Sequence, residues 1–383
     1  MTRCTRSSGN QTSFDRTKTP IFFRGILIAI SVGVTVLAAE VYLRYSETYV
    51  VRQKADSWGE VIESDSDFLT INTQNGKRLI PNARVVIRNH LGSKRDIFLN
   101  INTAGFRGQE IPMEKKSDEI RILILGDSIT LADYLQENET YVGQIEKYLH
   151  QWIKDRTIRV INGGVADIGL KEEIDILAEQ GLAVRPDIIV IAFYLNDSRP
   201  PWGFLGESGR HGWLRRHSLL AAKIFEELEF STWIQSKGKN RSRWIYGIRT
   251  LNWAHDKKAF LKLASMARYD WGSAWQTDSW KDIDQQLKRL KTLSKQHRFK
   301  VAVVAFPVVY QIKAKFVEDT PQKTVQKLVD RLGFRYLDLL PLLRAHRNED
   351  LYLDHCHPGE NANDMIGKAI AVFLKEKMLS NLN

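Results

Sequence analysis

The chain has 383 residues, 43% of them hydrophobic, with 56 Lys and Arg against 45 Asp and Glu and a net charge of +11. That share of apolar residues supports one sizeable core once the N-terminal segment is set aside. The surplus positive charge is spread over both termini and the middle, and no recognition motif accompanies it, so a nucleic-acid partner is excluded in favour of anionic lipid headgroups or an acidic polysaccharide.

Residues 1–20 form a basic tail, with Arg3, Arg6, Arg16 and Lys18 against Asp15. The run from Gly25 to Ala39 then carries no charge. Extended to residues 21–43, it reaches the length of about 20 residues that spans a bilayer. Arg24 and Glu40 mark its two ends, and an arginine there can snorkel. Because the tail is basic and the following flank mixes Glu47, Asp56 and Glu60 with Arg44, Arg52 and Lys54, the charge bias predicts a cytoplasmic tail and a single-pass anchor. Everything after about residue 44 is then periplasmic or extracellular. A cleaved signal peptide, with Val36-Leu37-Ala38 at the cleavage site, is the competing reading. With the anchor topology, Cys4 and Cys356, the two cysteines, lie on opposite sides of the membrane and cannot pair.

Residues 44–117 read as a linker and a small β element, with strands at 84–88 and 97–101 around a turn-rich stretch. Lys115, Lys116 and Asp118 mark the joint. From residue 118 to 383, aliphatic runs at 120–126, 157–162, 187–194, 299–306 and 334–338 alternate with helical patterns at 138–155, 170–183, 282–297, 320–332 and 360–379. Such alternation predicts a parallel sheet in a three-layer α/β/α domain. An interval of about 198–282 interrupts it and holds eight tryptophans (Trp202, Trp213, Trp233, Trp244, Trp253, Trp271, Trp275 and Trp280) with a basic cluster of Lys237, Lys239, Arg241, Arg243 and Arg249. So long an interval needs its own structure, and its departure point places it to form a cap. The tryptophans read either as the core of a helical insertion or, for two or three of them, as a wall for a sugar substrate.

The first strand runs into Gly126-Asp127-Ser128, which puts a serine at the carboxyl end of a parallel strand, where such sheets do chemistry. A serine hydroxyl becomes nucleophilic only beside a base that a third group orients. Asp354 and His357, three residues apart ahead of Pro358-Gly359, can supply both on one loop. Donors for an oxyanion are offered by Gly163 and Gly164 after the second strand and by Asn196 after the third. Each has a plainer reading: a helix N-cap for Ser128, a turn for the glycines and Asn196, and a solvated loop for the histidines. His355, Cys356 and His357 are immediate neighbours, a poor spacing for metal ligands, so Cys356 reads as a packing residue and His355 as a bystander or outer support. No metal or cofactor is expected.

Taken together, these motifs resemble the SGNH hydrolases of the GDSL superfamily, over about residues 98 to 380. The resemblance implies a flavodoxin-like sheet of five parallel strands, with Ser128 as nucleophile and Asp354 and His357 as its partners. It implies an oxyanion hole from Ser128, Gly164 and Asn196, with Gly163 a poorer register. Tyr194 stands where the family often carries glycine, which reshapes the acyl pocket. Asn100-Ile-Asn-Thr-Ala-Gly105-Phe-Arg107-Gly108 also resembles the leading segment of a bacterial membrane-anchored subgroup, often associated with envelope or exopolysaccharide modification. The implied function is a membrane-anchored serine esterase acting on an acyl or acetyl ester of an envelope glycan or lipid. The alternatives are an O-acyltransferase with the same residues and a sugar hydroxyl as acceptor, and a non-catalytic glycan-binding envelope protein.

Overall fold

The computed structural model describes residues 20–45, 61–64, 69–73, 75–90, 92–198, 244–268 and 270–380, together with 218, 220, 221 and 224. The basic tail, Cys4, Trp202, Trp213, Trp233, Lys237, Lys239, Arg241 and Arg243 lie outside them. The chain divides into two units, one of residues 1–48 and 213–226 and another of 49–212 and 227–383.

In the first unit, helix α1 (Pro20–Tyr45) is continuous, and its stretch Phe23–Tyr42 has a mean hydropathy of 2.0. Its apolar side chains are exposed, and it is the one helix among the described residues long and apolar enough to cross a membrane. Near its end the Glu40 carboxylate accepts hydrogen bonds from Ser218 Oγ (2.8 Å) and Leu220 N (3.0 Å).

The second unit begins with β1 (Val61–Ser64), β2 (Thr70–Thr73), β3 (Gly76–Leu79), β4 (Arg84–Arg88) and β5 (Ile97–Asn100). Strands β1, β4 and β5 form an antiparallel sheet, and β2 pairs with β3 as a hairpin. The last two strands match the expectation for this region, whereas the first three carry no strong apolar period. The hairpin docks through polar chemistry, with the Arg78 guanidinium on the Glu179 carboxylate at 2.7 and 3.0 Å.

The main sheet is built from β6 (Glu119–Gly126), β7 (Thr157–Gly164), β8 (Ile188–Tyr194), β9 (Lys300–Phe306) and β10 (Arg335–Asp338), in the order β10-β9-β8-β6-β7 and parallel throughout. This is the flavodoxin-like order. Fully buried aliphatics on both faces of β6, β8 and β9, such as Ile122–Leu125, Ile188–Ile191 and Ala302–Ala305, explain why these strands read as unbroken apolar runs. Strand β7 runs two residues further than the sequence suggests, because Gly163 and Gly164 keep pairing with Leu125 and Gly126.

Helices follow as α2 (Ser128–Leu131), α3 (Tyr141–Trp152), α4 (Leu170–Glu179), α5 (Lys257–Met266), α6 (Ser279–His297), α7 (Val309–Lys313), α8 (Thr320–Arg331), α9 (Leu340–Ala345) and α10 (Glu360–Leu374). Helix α3 starts later than expected, because residues 137–139 form a 3-10 turn and Thr140 Oγ1 caps α3 by accepting from Gly143 N. Helices α3 and α10 pack together, joined by Tyr141 N to Asn363 Oδ1 at 2.8 Å, and α4 packs with α6.

Within the insertion, Trp244 and Trp271 are buried and Trp253, Trp275 and Trp280 are partly so, all against the common core. Trp271 stands edge-on to Trp275 at 5.7 Å, and Trp280 stacks on Phe193 at 6.1 Å. For these five, packing is the observed role. The returning 3-10 turn Trp271–Trp275 reaches the turn after β8, where Ser273 Oγ lies 2.7 Å from Ser198 Oγ.

At the amino edge of the sheet, the buried Arg121 guanidinium donates to the Glu119 carboxylate (2.9 Å), Val184 O (2.9 Å) and Pro112 O (2.7 Å). Asp187 accepts from Arg121 N at 2.7 Å and pairs with Lys115 at 2.5 Å.

Candidate active site

Strand β6 ends at Gly126, and Asp127 caps the next helix by accepting from Ile129 N at 2.9 Å. Helix α2 lasts one turn and stops at Ala132, whose backbone is left-handed (φ 50°). Ser128 is the first residue of that turn, so its N–H is one of the donors a helix start leaves without an intrahelical acceptor. The strand-to-helix corner thus presents a hydroxyl and a backbone donor side by side at the carboxyl edge.

The second element is the loop from Leu351 to Gly359, drawn into a narrow finger by Leu353 N to His357 O and Gly359 N to Leu351 O, both 2.8 Å. Asp354 organises its tip: Oδ1 accepts from Cys356 N and His357 N, each at 2.8 Å, and Oδ2 lies 2.8 Å from His357 Nδ1. His357 Nε2 is 3.0 Å from Ser128 Oγ. The structure therefore brings Ser128, His357 and Asp354 into one chain of hydrogen bonds. The Tyr134 ring supports the imidazole edge-on, with centroids 5.2 Å apart.

Burial alone would raise the Asp354 carboxyl, but the His357 hydrogen bond and charge, helped by His355 and Cys356 N–H, bring it well below the usual carboxylate range. Burial alone would lower His357, yet the Asp354 hydrogen bond and charge raise it above an ordinary imidazole. The pair is thus an anionic carboxylate holding an imidazole ready to accept a proton. Cys356 is buried with Sγ 3.5 Å from His357 Nδ1, and burial, with the charges of Asp354 and Asp270, keeps its thiol neutral. Asp354, Cys356 and His357 place three potential ligand atoms within 4.8 Å of one another. The carboxylate also holds three hydrogen bonds within the loop. His355 bridges toward the insertion, 3.7 Å from Asp270 and with its ring 5.0 Å from Trp244.

Asn196 sits in a buried 3-10 turn (Leu195–Ser198) directly after β8. The turn is pinned by Tyr194 N to Asp197 Oδ2 at 2.8 Å and Ser198 Oγ to Leu195 O at 2.7 Å. The Asn196 Oδ1 atom is buried and accepts no hydrogen bond among the described residues. Tyr194 is fully buried, and its hydroxyl likewise has no partner among them. Behind these residues burial pushes the Glu173 carboxyl well up, with the charges of Asp197 and Asp127 adding to the effect.

Gly164 is placed differently from the expectation of a bare N–H facing a ligand. Its N–H donates to Asn162 Oδ1 at 3.0 Å, and a Cβ there would stand 2.2 Å from Leu131 N. The glycine lets β7 lie against the backbone of α2. Gly163 lies against β6, where a Cβ would stand 2.8 Å from Ile124 O. Sequence reading passed over three supports: Tyr134, Asn162, whose amide donates to Thr130 O at 2.8 Å, and Arg107. The Gly-Phe-Arg-Gly segment was the signal for the last.

No family model matches the chain, and no curated protein does. Among solved structures the chain is similar to an acetyl xylan esterase, AlAXEase, at 12% identity and a TM-score of 0.40, covering 67% of this chain and 100% of that one. It is similar to an acetyl-xylooligosaccharide esterase, Axe2 from Geobacillus stearothermophilus, at 13% identity and 0.40, covering 69% and 96%. A third likeness is to a protein of the G-D-S-L lipolytic family from Desulfitobacterium hafniense, at 10% and 0.37, covering 66% and 98%. By strand order, and with a serine at the end of its first core strand, the fold is a flavodoxin-like three-layer α/β/α sheet.

Proposed function

We propose that this chain is a serine esterase that hydrolyses an acyl or acetyl ester through Ser128, His357 and Asp354. One observation carries the reading: Ser128 Oγ, His357 and Asp354 stand in hydrogen-bonding line at 3.0 and 2.8 Å, with the serine opening a helix. In this reading His357 Nε2 takes the hydroxyl proton as Ser128 Oγ attacks the ester carbonyl. The protonated imidazole, held by Asp354, returns that proton to the departing alcohol. Water then attacks the acyl-enzyme by the same route and releases the acid. The Ser128 N–H and the Asn196 side-chain amide are the proposed donors to the oxyanion. Gly164 N–H joins them only if Asn162 Oδ1 lets it go.

The apolar α1 supports a tether to the cytoplasmic membrane, with the tail inside and the second unit periplasmic or extracellular. An enzyme held there meets acylated envelope glycans and lipids, the proposed substrates. An acyltransferase would use the same residues, with a sugar hydroxyl in place of water.

The test uses the full chain in detergent, with and without Ser128→Ala, on nitrophenyl acetate. Removing the nucleophile is expected to lower kcat by at least ~10³-fold. Equal rates in the two proteins would overturn the proposal. Adding a glycan acceptor to the active protein separates hydrolysis from transfer by the product formed.

A further inference from the structure

The Asn100–Gly108 segment lies ahead of the α/β core, and the mechanism above makes no use of it. Its local chemistry is nevertheless specific. Asn102 Oδ1 accepts from Ala104 N and Phe106 N, each at 3.0 Å, and its amide donates to Gln109 O at 3.0 Å. These bonds curl the chain into a tight turn. Gly108 has a left-handed backbone (φ 119°), and a Cβ there would stand 2.6 Å from Glu137 Oε1. Phe106 is buried, and Arg107 N donates to Asn162 O at 3.1 Å, which ties the turn to β7.

So held, the buried Arg107 side chain reaches the segment that carries Ser128. Nη1 donates to Leu131 O and to Ala132 O (2.6 Å), and Nη2 donates to Leu135 O at 2.6 Å. Helix α2 is one turn long, and these carbonyls lie at its end and in the loop beyond, where the helix offers them no partners. Tyr134, whose ring backs His357, sits between two of them. Burial lowers the guanidinium to about 10, which leaves it charged at neutral pH, and a buried charge needs all the acceptors it can find.

We propose that Arg107 is a positioning residue: its guanidinium clamps the end of α2 and the Tyr134 loop together, and so sets the approach of Ser128 to His357. The kinetic part rests on the esterase reading; the clamp does not. One guanidinium fixes both partners of the 3.0 Å contact, the nucleophile through its helix and the base through the ring behind it. Misplacing reacting groups by about 1 Å costs on the order of 10²-fold in rate.

The experiment compares full-length wild type, Arg107→Lys and Arg107→Ala in detergent, by ester kinetics and by amide hydrogen exchange. A lysine keeps the charge but cannot span the three carbonyls. The expected result for Arg107→Lys is kcat down roughly 10- to 100-fold with KM nearly unchanged, by the same misplacement argument. Exchange should quicken over residues 128–136 and stay as in wild type in the sheet. Added guanidinium should restore part of the kcat of Arg107→Ala; if that variant does not fold, Arg107→Lys decides alone. Unchanged kcat with unchanged exchange over 128–136 overturns the clamp. So does a loss of protection spread over the whole sheet, which marks a residue needed only for folding. If wild type itself neither hydrolyses the ester nor reacts at Ser128 with a fluorophosphonate, the esterase reading fails instead, and exchange over 128–136 still decides the clamp.

Discussion

The two edges of the main sheet treat their polar groups in opposite ways. At the amino edge, Arg121, Glu119, Asp187 and Lys115 satisfy one another and the nearby carbonyls. At the carboxyl edge, Ser128, His357 and Asp354 form a directed chain, while the Tyr134 and Tyr194 hydroxyls and Asn196 Oδ1 are buried with no hydrogen-bond partner among the described residues. Leaving such groups unmatched costs stability. In the proposed reading the same parallel sheet uses one end as a joint and the other for chemistry, as the strand-end rule for open α/β sheets anticipates.

The comparison is sharpest where a change should strike one quantity and spare the other. Asp354→Asn removes the charge that holds His357 above an ordinary imidazole. We expect kcat to fall by about 10³- to 10⁴-fold, the scale for a triad acid, with little change in Tm. His357 must be neutral to accept a proton, so wild-type kcat/KM should decline as pH falls through a value above the ~6.5 of free imidazole. In Asp354→Asn only the charges of Asp133 and Asp127 still oppose burial, so that decline should move to lower pH, which a pH profile of both proteins would check.

Arg121→Ala should do the reverse. It takes one of two arginines from the nearly buried Glu119 carboxylate, which keeps Arg159 at 3.1 Å, and removes the donor to Val184 O and Pro112 O; breaking a buried pair costs up to about 3–5 kcal/mol. Denaturant unfolding should show that loss while kcat per folded molecule stays within about twofold of wild type; a large fall in kcat there would erase the distinction between the edges. Gly164→Ala lies at the boundary, because its Cβ would press on Leu131 N. Overpacking of this kind costs about 1–3 kcal/mol, and we expect a parallel fall in kcat as α2 shifts. Tyr194→Phe is the smallest change. Deleting an unmatched buried hydroxyl should leave kcat nearly unchanged and raise stability by about 1 kcal/mol.

Much of this was legible in the residues. The five core strands are aliphatic runs between turn residues, and burial on both faces is what makes such runs continuous. Gly-Asp-Ser and Asp-x-x-His were legible because each is a local spacing at a strand end or on one loop. The β2–β3 hairpin was not, since it is short and polar and docks through Arg78 and Glu179; Asn75-Gly76, at the turn into β3, was the available sign. Arg107 could not be read as a clamp because its partners are main-chain carbonyls, which every residue carries. Gly164 shows a further limit. A glycine can bare an N–H or let two backbones touch, and the sequence does not distinguish these uses; here the N–H is already given to Asn162.

The contact between Ser128 and His357 joins positions 229 residues apart, and the helix after His357, α10, seats against α3 through Asn363 and Tyr141. Non-local closure of this kind comes late and slowly in folding. During synthesis the strands through β9 can assemble well before the loop at 354–357 has left the ribosome. Partly made or C-terminally damaged chains would therefore hold the serine without its base. If the esterase reading holds, they would be silent rather than loosely active, and the order of the chain itself would keep the serine in check until folding is complete.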